Sequence, residues 1–293
     1  MQIYNNFMNL QDNKRFNGKA IYQPTGKAAE YSPWACNFYT GCSNDCEYCF
    51  CKRGVMSHVW STEPRLKKCF KNDADALFIF DKELHQNLSA LRKSWILFSF
   101  TTDPLLPETK DLTLMALETA ISYGVPVKIL TKRADWIDDI KTMLLENSVL
   151  RKQKHLIAFG FTLTGFDENE PGASLTKDRI EAMRELHEMG FKTFASIEPA
   201  ITPAMSRNMI EATKDFCDLY KVGLISGKGK DFYNRDHMTK FFGWLTNFAF
   251  THKVYLKDSF LKYFGIEREE LRVRFVNSDY NIFNPDNNES KIY

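Results

Sequence analysis

The sequence has 293 residues, of which 44% are hydrophobic and 26% charged, and this balance is typical of a soluble globular protein. Its net charge of +2 at pH 7 is too small to indicate a nucleic-acid partner without a local concentration of basic residues. No apolar run reaches the roughly 20 residues that a membrane helix requires, and the polar first residues lack the blocks of a signal peptide, which predicts a cytoplasmic protein.

The first predicted strand, 35–39, leads into a cysteine-rich loop, and strands and helices then alternate. Gly124 and Gly190 are predicted to end the helices before them, and Asp135 and Thr176 to cap the helices after them. Apolar runs and helical spacing predict strands at 95–101, 126–130, 155–163, 192–197 and 219–225, and helices at 74–93, 111–123, 136–146, 176–189 and 206–218.

Strands joined by helical crossovers predict a parallel sheet. Six such units predict an α/β fold, a partial TIM-like (β/α)6 barrel, over residues 31–230. Residues 1–30 form a predicted N-terminal extension, and residues 231–293 form a helical C-terminal extension that covers the barrel. In parallel barrels the reactive residues lie at the carboxyl ends of the strands, and the cysteine loop follows such an end.

That loop contains Cys42, Cys46 and Cys49 with the spacing C-x3-C-x2-C, and Tyr48 stands just before the last cysteine. A [4Fe-4S] cluster usually has four thiolate ligands. Three cysteines therefore leave one iron open to a small molecule. The spacing predicts a cluster with one iron available for chemistry.

The chain has seven cysteines, and five of them lie between Cys36 and Cys51. This odd, clustered set favours a reducing compartment and a metal over a disulfide framework. A zinc site with Cys51 or Cys36 as fourth ligand is the alternative, although zinc usually takes four closed ligands in two pairs. The spacing assigns no role to Cys36, Cys51, Cys69 or Cys217, which include candidates for a hydrogen donor or a second cluster ligand.

Polar residues follow the apolar part of several predicted strands. Thr102 and Asp103 follow the second strand and can hold an ammonium group, and Lys132 follows the third and can neutralise a carboxylate. Helix capping is an equal alternative for the Thr-Asp pair. Glu198 follows the fifth strand, where burial of a carboxylate requires a partner or a function, so it is a candidate catalytic and cofactor-binding residue. A structural ion pair with Lys132 or Arg133 is its alternative.

The cysteine loop with Tyr48 resembles the radical SAM superfamily, and residues 35–200 resemble its spore photoproduct lyase branch. The lyase motifs occur here in the same order, as Thr-Thr-Asp at 101–103, Leu-Thr-Lys at 130–132, a threonine at 162 and Glu-Pro-Gly at 170–172. The resemblance implies a partial barrel of the radical SAM type with a [4Fe-4S] cluster and S-adenosylmethionine (SAM). By that resemblance, SAM contacts Tyr48 near its adenine, Thr102, Asp103, Lys132 and Thr162.

The implied reaction is reductive cleavage of SAM to a 5'-deoxyadenosyl radical, which abstracts hydrogen from an unidentified substrate, with nucleic acid as one candidate. We expect a monomer without membrane contact that takes electrons from a donor such as flavodoxin or ferredoxin. A non-catalytic binding module with an iron-sulfur cluster or zinc is the alternative.

Two departures from the lyase pattern bear on the substrate. Phe100 stands where the lyase has the cysteine that returns a hydrogen atom to the product radical, and phenylalanine cannot donate it. Glu198-Pro199 replaces an alanine-proline pair. Repair of DNA photoproducts is therefore an alternative that we do not favour. The Glu-Pro pair and a late predicted strand, 253–258, resemble phage-associated radical SAM relatives of unassigned activity.

Three features lie outside this core. The basic loop Gly227-Lys228-Gly229-Lys230 could bind a phosphate or another anion, with a plain solvent-exposed turn as the alternative. The aromatic-rich segment 234–252 is predicted to be a helix with a core or interface role, and a base-stacking platform is the alternative. The tail 284–293 is predicted to be disordered.

Overall fold

The computed structural model describes residues 15–53, 57–58, 60–271 and 274–285. Most of the predicted disordered tail therefore lies outside the described residues. The strands are β1 (Ile21–Tyr22), β2 (Trp34–Cys36), β3 (Tyr39–Thr40), β4 (Arg65–Leu66), β5 (Ile96–Phe98), β6 (Val127–Thr131), β7 (Ile157–Thr162), β8 (Lys192–Ile197), β9 (Leu219–Val222) and β10 (Val254–Leu256). The helices are α1 (Asp73–Gln86), α2 (Leu88–Arg92), α3 (Lys110–Ser122), α4 (Ile137–Glu146), α5 (Ser148–Gln153), α6 (Thr176–Glu188), α7 (Pro203–Thr213), α8 (Arg235–Phe248) and α9 (Asp258–Phe264).

A mostly parallel sheet of eight strands forms the centre, in the order β1-β2-β5-β6-β7-β8-β9-β10. Only β1 is antiparallel to its neighbour, and β3 and β4 form a separate antiparallel pair. The predicted α/β class and parallel sheet are confirmed. The late strand β10 adds a further parallel strand beside β9, so the segment after residue 231 contributes to the same sheet.

At the helix ends, the two glycine stop signals are confirmed, whereas the two predicted N-cap residues are not. Gly124 and Gly190 follow α3 and α6 with positive φ of 68° and 86°, as predicted. The capping prediction for Asp135 is wrong, because Trp136 holds the N-cap position and the Asp135 carboxylate binds the Arg133 guanidinium instead. The capping prediction for Thr176 is also wrong, because Leu175 holds the N-cap position of α6. Thr176 is the first residue of the helix, and its backbone N–H and hydroxyl both donate to the Asp167 carboxylate.

The sheet is buried on both faces, as parallel sheets require. On one face a cluster of Ala158, Phe194 and Leu219 packs against Tyr280 and Ile282 from the end of the described chain. The other face contributes to the larger core beneath the helices.

Helix α8 contains the aromatic residues predicted for a core role. Its Met238, Phe241 and Leu245 are buried, and the Phe241 ring lies 6.2 Å from that of Phe260 on α9. Because α8 connects the parallel neighbours β9 and β10, it is a further crossover helix of the same fold. This packing is the expected core or interface role.

Candidate active site

A cavity of about 480 Å³ lies where several parallel strands end, beside the cysteine loop. Its wall includes residues that follow β5, β6 and β8 of the parallel sheet, which is where catalytic groups of parallel α/β folds lie, together with the cysteine loop that follows β3. All nine residues selected from the sequence line this cavity, namely Cys42, Cys46, Tyr48, Cys49, Thr102, Asp103, Lys132, Thr162 and Glu198.

A backbone hydrogen bond to Ser61 and a side-chain ion pair hold the cysteine loop. Gly41 has φ of 88°, which turns the chain into the loop, and the Cys42 N–H donates to the Ser61 carbonyl at 2.8 Å. Lys52 closes the other end with an ion pair to Asp45 at 2.6 Å. These contacts restrain the backbone segment that carries the three cysteines.

The segment between β7 and α6 supports the loop from outside. The Gly172 N–H donates to the Asn44 carbonyl at 3.1 Å, and the Glu47 N–H donates to the Asn169 carbonyl at 2.9 Å. A Cβ atom on Gly172 would lie 2.0 Å from the Ser43 carbonyl oxygen, which is far below van der Waals contact. Only glycine permits this close approach of the two segments.

Burial, a hydrogen bond between two thiols and one nearby cation shift the pKa values of the three cysteines. Burial raises the pKa of Cys42 to about 12 and that of Cys46 to about 11. A hydrogen bond with Cys51 is the main cause that lowers the pKa of Cys49 to about 6. The Lys132 ammonium favours the thiolate of all three cysteines, and thiolates are the form that binds metals.

Asp103 is buried, and its carboxylate accepts four hydrogen bonds. The donors are the Asn44 amide at 2.7 Å, the Thr131 hydroxyl at 2.7 Å, and the backbone N–H groups of Leu105 at 3.0 Å and Lys132 at 2.7 Å. Four is about the full acceptor capacity of a carboxylate. Asp103 therefore ties the cysteine loop to the ends of β5 and β6, and the Asn44 Oδ1 atom, also buried, has no partner among the described residues.

Lys132 and Tyr48 form a second part of the wall. The Lys132 ammonium lies 5.5 Å from the centre of the Tyr48 ring and has no ion pair in the described part of the chain. The Tyr48 hydroxyl donates to Glu170, which is buried and pairs with Arg179. The Glu-Pro-Gly motif thus fixes both the aromatic ring and, through Gly172, the loop.

Glu198 has a different partner from the two considered for it. Lys257 donates to both carboxylate oxygens at 2.9 Å, and the Tyr31 hydroxyl donates to the same carboxylate. The predicted pairing with Lys132 or Arg133 is wrong, because Lys257, which follows β10, occupies both carboxylate oxygens of Glu198. Arg133 pairs with Asp135 instead.

Three lining residues that hydrogen-bond to Asp103 or Glu198 were not selected from the sequence. Asn44 lies inside the cysteine loop, and Tyr31 and Lys257 approach from segments at either end of the chain. The sequence offered a signal for Lys257, because this lysine directly follows a short apolar strand, as Lys132 directly follows β6. Tyr31 gave none, because it precedes its strand in a segment without periodicity.

The cavity wall offers three cysteine sulfur atoms as metal ligands. No group of three or more His, Cys, Asp or Glu side chains in the described ranges is close enough together to hold a single metal ion. A tetrahedral zinc site needs sulfur atoms about 3.8 Å apart, from bonds of about 2.3 Å. In a [4Fe-4S] cube each thiolate binds a different iron, so wider spacing is expected. The three cysteines line one cavity beside a cation that favours their thiolates, so they match such a cluster in the type and number of ligands.

Two curated relatives align with part of the chain. The uncharacterized protein ORF301 of Acidianus two-tailed virus is 23% identical over 188 residues, 61% of this chain and 59% of that protein. The uncharacterized protein MJ0683 of Methanocaldococcus jannaschii is 26% identical over 194 residues, 63% of this chain and 67% of that protein. The chain thus spans less than two thirds of the viral relative. No protein-family profile matches it.

Among solved structures, the chain is similar to SuiB of Streptococcus suis. In the structure bound to S-adenosylmethionine the TM-score is 0.49 with 14% identity, over 77% of this chain and 52% of SuiB. In the structure bound to the precursor peptide SuiA the TM-score is 0.48 with 14% identity, over 86% and 62%. Within the described part of this chain, no helix has the length and apolar character needed to span a membrane.

Proposed function

We propose that this chain is a radical SAM enzyme in which Cys42, Cys46 and Cys49 hold a [4Fe-4S] cluster and SAM fills the adjoining cavity. When bound, the cluster supplies the electron that cleaves SAM to a 5'-deoxyadenosyl radical, which abstracts hydrogen from a substrate. The observation that carries the proposal is that all nine residues selected from the sequence line one cavity. The fold in this proposal is a partial barrel whose carboxyl-end mouth is that cavity.

Lys132 is the proposed partner of the SAM carboxylate. Its ammonium lines the cavity and has no ion pair among the described residues, so it is available for a charge-assisted hydrogen bond. The adjacent Tyr48 ring, fixed through Glu170, provides an aromatic surface for the adenine. Thr162 is buried at the end of β7 and completes this side of the site.

The SAM ammonium is proposed to bind Asn44 and Thr102. The Asp103 carboxylate is already filled by four protein donors, so a direct contact with an ammonium would displace one of them. Asn44 donates to Asp103 through its amide nitrogen and retains a buried, free Oδ1 acceptor. In this proposal Asp103 acts by orienting Asn44, and Thr102 lines the same cavity.

Glu198 is proposed to face the reacting part of the substrate. Lys257 and Tyr31 hold its carboxylate in place, and its side chain lines the same cavity as the cysteine loop. Phe100 also lines this cavity, and it cannot supply the hydrogen atom needed in photoproduct repair. We therefore do not propose DNA photoproduct repair. An external electron donor such as flavodoxin or ferredoxin and a reducing cytoplasm belong to the proposal.

The test is anaerobic reconstitution with iron and sulfide, followed by dithionite and SAM, with 5'-deoxyadenosine as the measured product. We expect cluster absorbance and 5'-deoxyadenosine from the native chain, and neither from Cys46→Ala. The matched control is Cys69→Ala, because Cys69 is exposed and outside the cavity wall. A fully loaded cluster that yields no 5'-deoxyadenosine would favour the non-catalytic binding module instead.

A further inference from the structure

A second cavity of about 470 Å³ adjoins the first and shares part of its wall. The shared residues include Lys27, Glu198, Lys257 and the turn that begins at Ser226. Its remaining wall comes from the basic loop after β9 and from α9. A molecule in the second cavity would therefore lie beside Glu198, next to the cavity proposed for SAM.

The three carboxylates of this second cavity already have protein partners. Glu198 is paired with Lys257. Asp258 is paired with Arg268 at 2.5 Å. Glu30 accepts from the Tyr255 hydroxyl at 3.1 Å and from the Asp258 N–H at 2.8 Å, and it also lies 3.6 Å from the Lys257 ammonium. Lys257 and Arg268 thus balance two of the three carboxylate charges, and the one that remains is outnumbered by the other lysines of the same wall.

The remaining lysines of this wall have no acidic partner in the described part of the chain. Lys27 contacts only the Ser226 hydroxyl at 3.4 Å, Lys228 lies 5.3 Å from the Phe232 ring, and Lys262 has no ion pair. The backbone N–H groups of Gly227, Lys228 and Gly229 also donate to no described acceptor. Gly227 has φ of 81°, a conformation that occurs in anion-binding turns.

We propose that the second cavity binds the phosphate group of a small phosphorylated substrate. Three unpaired ammonium groups and free backbone N–H donors suit an oxyanion with more than one negative charge. The volume suits a small molecule rather than a polymer. As a substrate site this inference rests on the proposed radical SAM function, since it would place the C–H bond to be broken near Glu198.

The experiment measures binding of inorganic phosphate to the cluster-reconstituted full chain by calorimetry at constant ionic strength. We expect one saturable site. Each of Lys27→Gln, Lys228→Gln and Lys262→Gln should weaken phosphate about threefold, as for exposed charge pairs, and the triple variant about 20-fold or more. These side chains are exposed, so the fold should survive, and the thermal midpoint of each variant checks this. Lys82→Gln, an exposed lysine of α1, is the matched control and should bind like the native chain.

Absence of saturable phosphate binding, or equal binding by the triple variant, would overturn the site. So would an oligonucleotide that competes with phosphate far more strongly than a nucleoside monophosphate, because the occupant would then be a polymer. SAM cleavage by the native chain is measured on the same sample. Cleavage without phosphate binding removes only the phosphate site, and phosphate binding without cleavage removes only the radical SAM proposal.

Discussion

Lys257 donates to both carboxylate oxygens of Glu198 at 2.9 Å, and both side chains line both cavities. The side chains are 5% and 19% exposed, so both charges are largely removed from water. The pair joins the ends of β8 and β10 across the end of β9. It therefore links the strand that carries the candidate catalytic carboxylate to the last strand of the sheet.

Loss of Lys257 alone should be more harmful than loss of the whole pair. Lys257→Met leaves the Glu198 charge buried with only Tyr31 as donor, and we expect the free energy of unfolding to fall by about 3 kcal/mol. Glu198→Gln/Lys257→Met should cost less than the sum of the single variants. Urea unfolding of the complete double-mutant cycle measures this coupling.

A surface ion pair provides the comparison. Lys141 and Glu185 are 2.5 Å apart with side chains 41% and 38% exposed, so Lys141→Met should change stability by less than about 1 kcal/mol. Additive effects at Glu198 and Lys257, of the same small size as at this surface pair, would contradict the assignment of a buried coupled pair.

Gly172 should be required for the cysteine loop. In Gly172→Ala the new Cβ would overlap the Ser43 carbonyl, and we expect a loss of about 2 kcal/mol in stability together with lower iron content after reconstitution. Gly243→Ala is the control, since its Cβ meets no atom within 4 Å and it lies in α8. It should stabilise the chain by up to about 1 kcal/mol without changing iron content. Normal iron loading in Gly172→Ala would refute this role.

Substitution of Lys132 should weaken SAM binding more than it lowers the iron content of the reconstituted protein. Lys132→Met removes the free ammonium of the cavity, and we expect the dissociation constant for SAM to rise about tenfold, the effect of one charged hydrogen bond. Calorimetric titration of the reconstituted protein measures it, with iron content measured on the same sample. Lys82→Met serves as the control for removal of an exposed lysine charge. Unchanged SAM affinity with full iron content would exclude Lys132 as the carboxylate partner.

Sequence patterns could predict a residue of this candidate site when its signal is local, but not its partners when these are far away along the chain. Cys42, Cys46 and Cys49 were found from their spacing alone, and Asp103 from its position after a buried strand, because both signals are local. The Glu198 partners are 59 and 167 residues away, so no periodicity connects them. The filled carboxylate of Asp103 was also outside sequence reasoning, since its donors come from three separate segments. Local sequence patterns selected the candidate residues, and the packing determines which of their charged groups are paired.

The buried Lys221 on β9 should make stability depend on pH. Burial and the nearby charge of Lys257 lower its pKa to about 7, although Glu198 and Glu30 act in the opposite direction. In the unfolded chain a lysine titrates near about 10.4, so between these values the unfolded state binds the extra proton. The contribution of Lys221 to the free energy of unfolding should therefore rise as pH increases from 7 to about 10, by up to about 1.4 kcal/mol per pH unit. Buried thiols such as Cys42 and Cys46, whose pKa values are raised, contribute in the opposite direction at the upper end of this range.

Lys221→Met should remove this contribution, so the free energy of unfolding should rise less, or fall more, between pH 7 and 10 than in the native chain. The variant keeps the similar contribution of Lys128, whose pKa burial also lowers well below its ordinary value. Urea unfolding at half-unit steps of pH measures both slopes, and Lys82→Met should retain the native slope because that lysine is exposed. The direction is fixed by linkage: a lysine with a lowered pKa in the folded state destabilises the protein most below pH 7, and this destabilisation disappears above the pKa of the unfolded chain. An identical slope in Lys221→Met and the native chain would show that Lys221 remains protonated in the folded state.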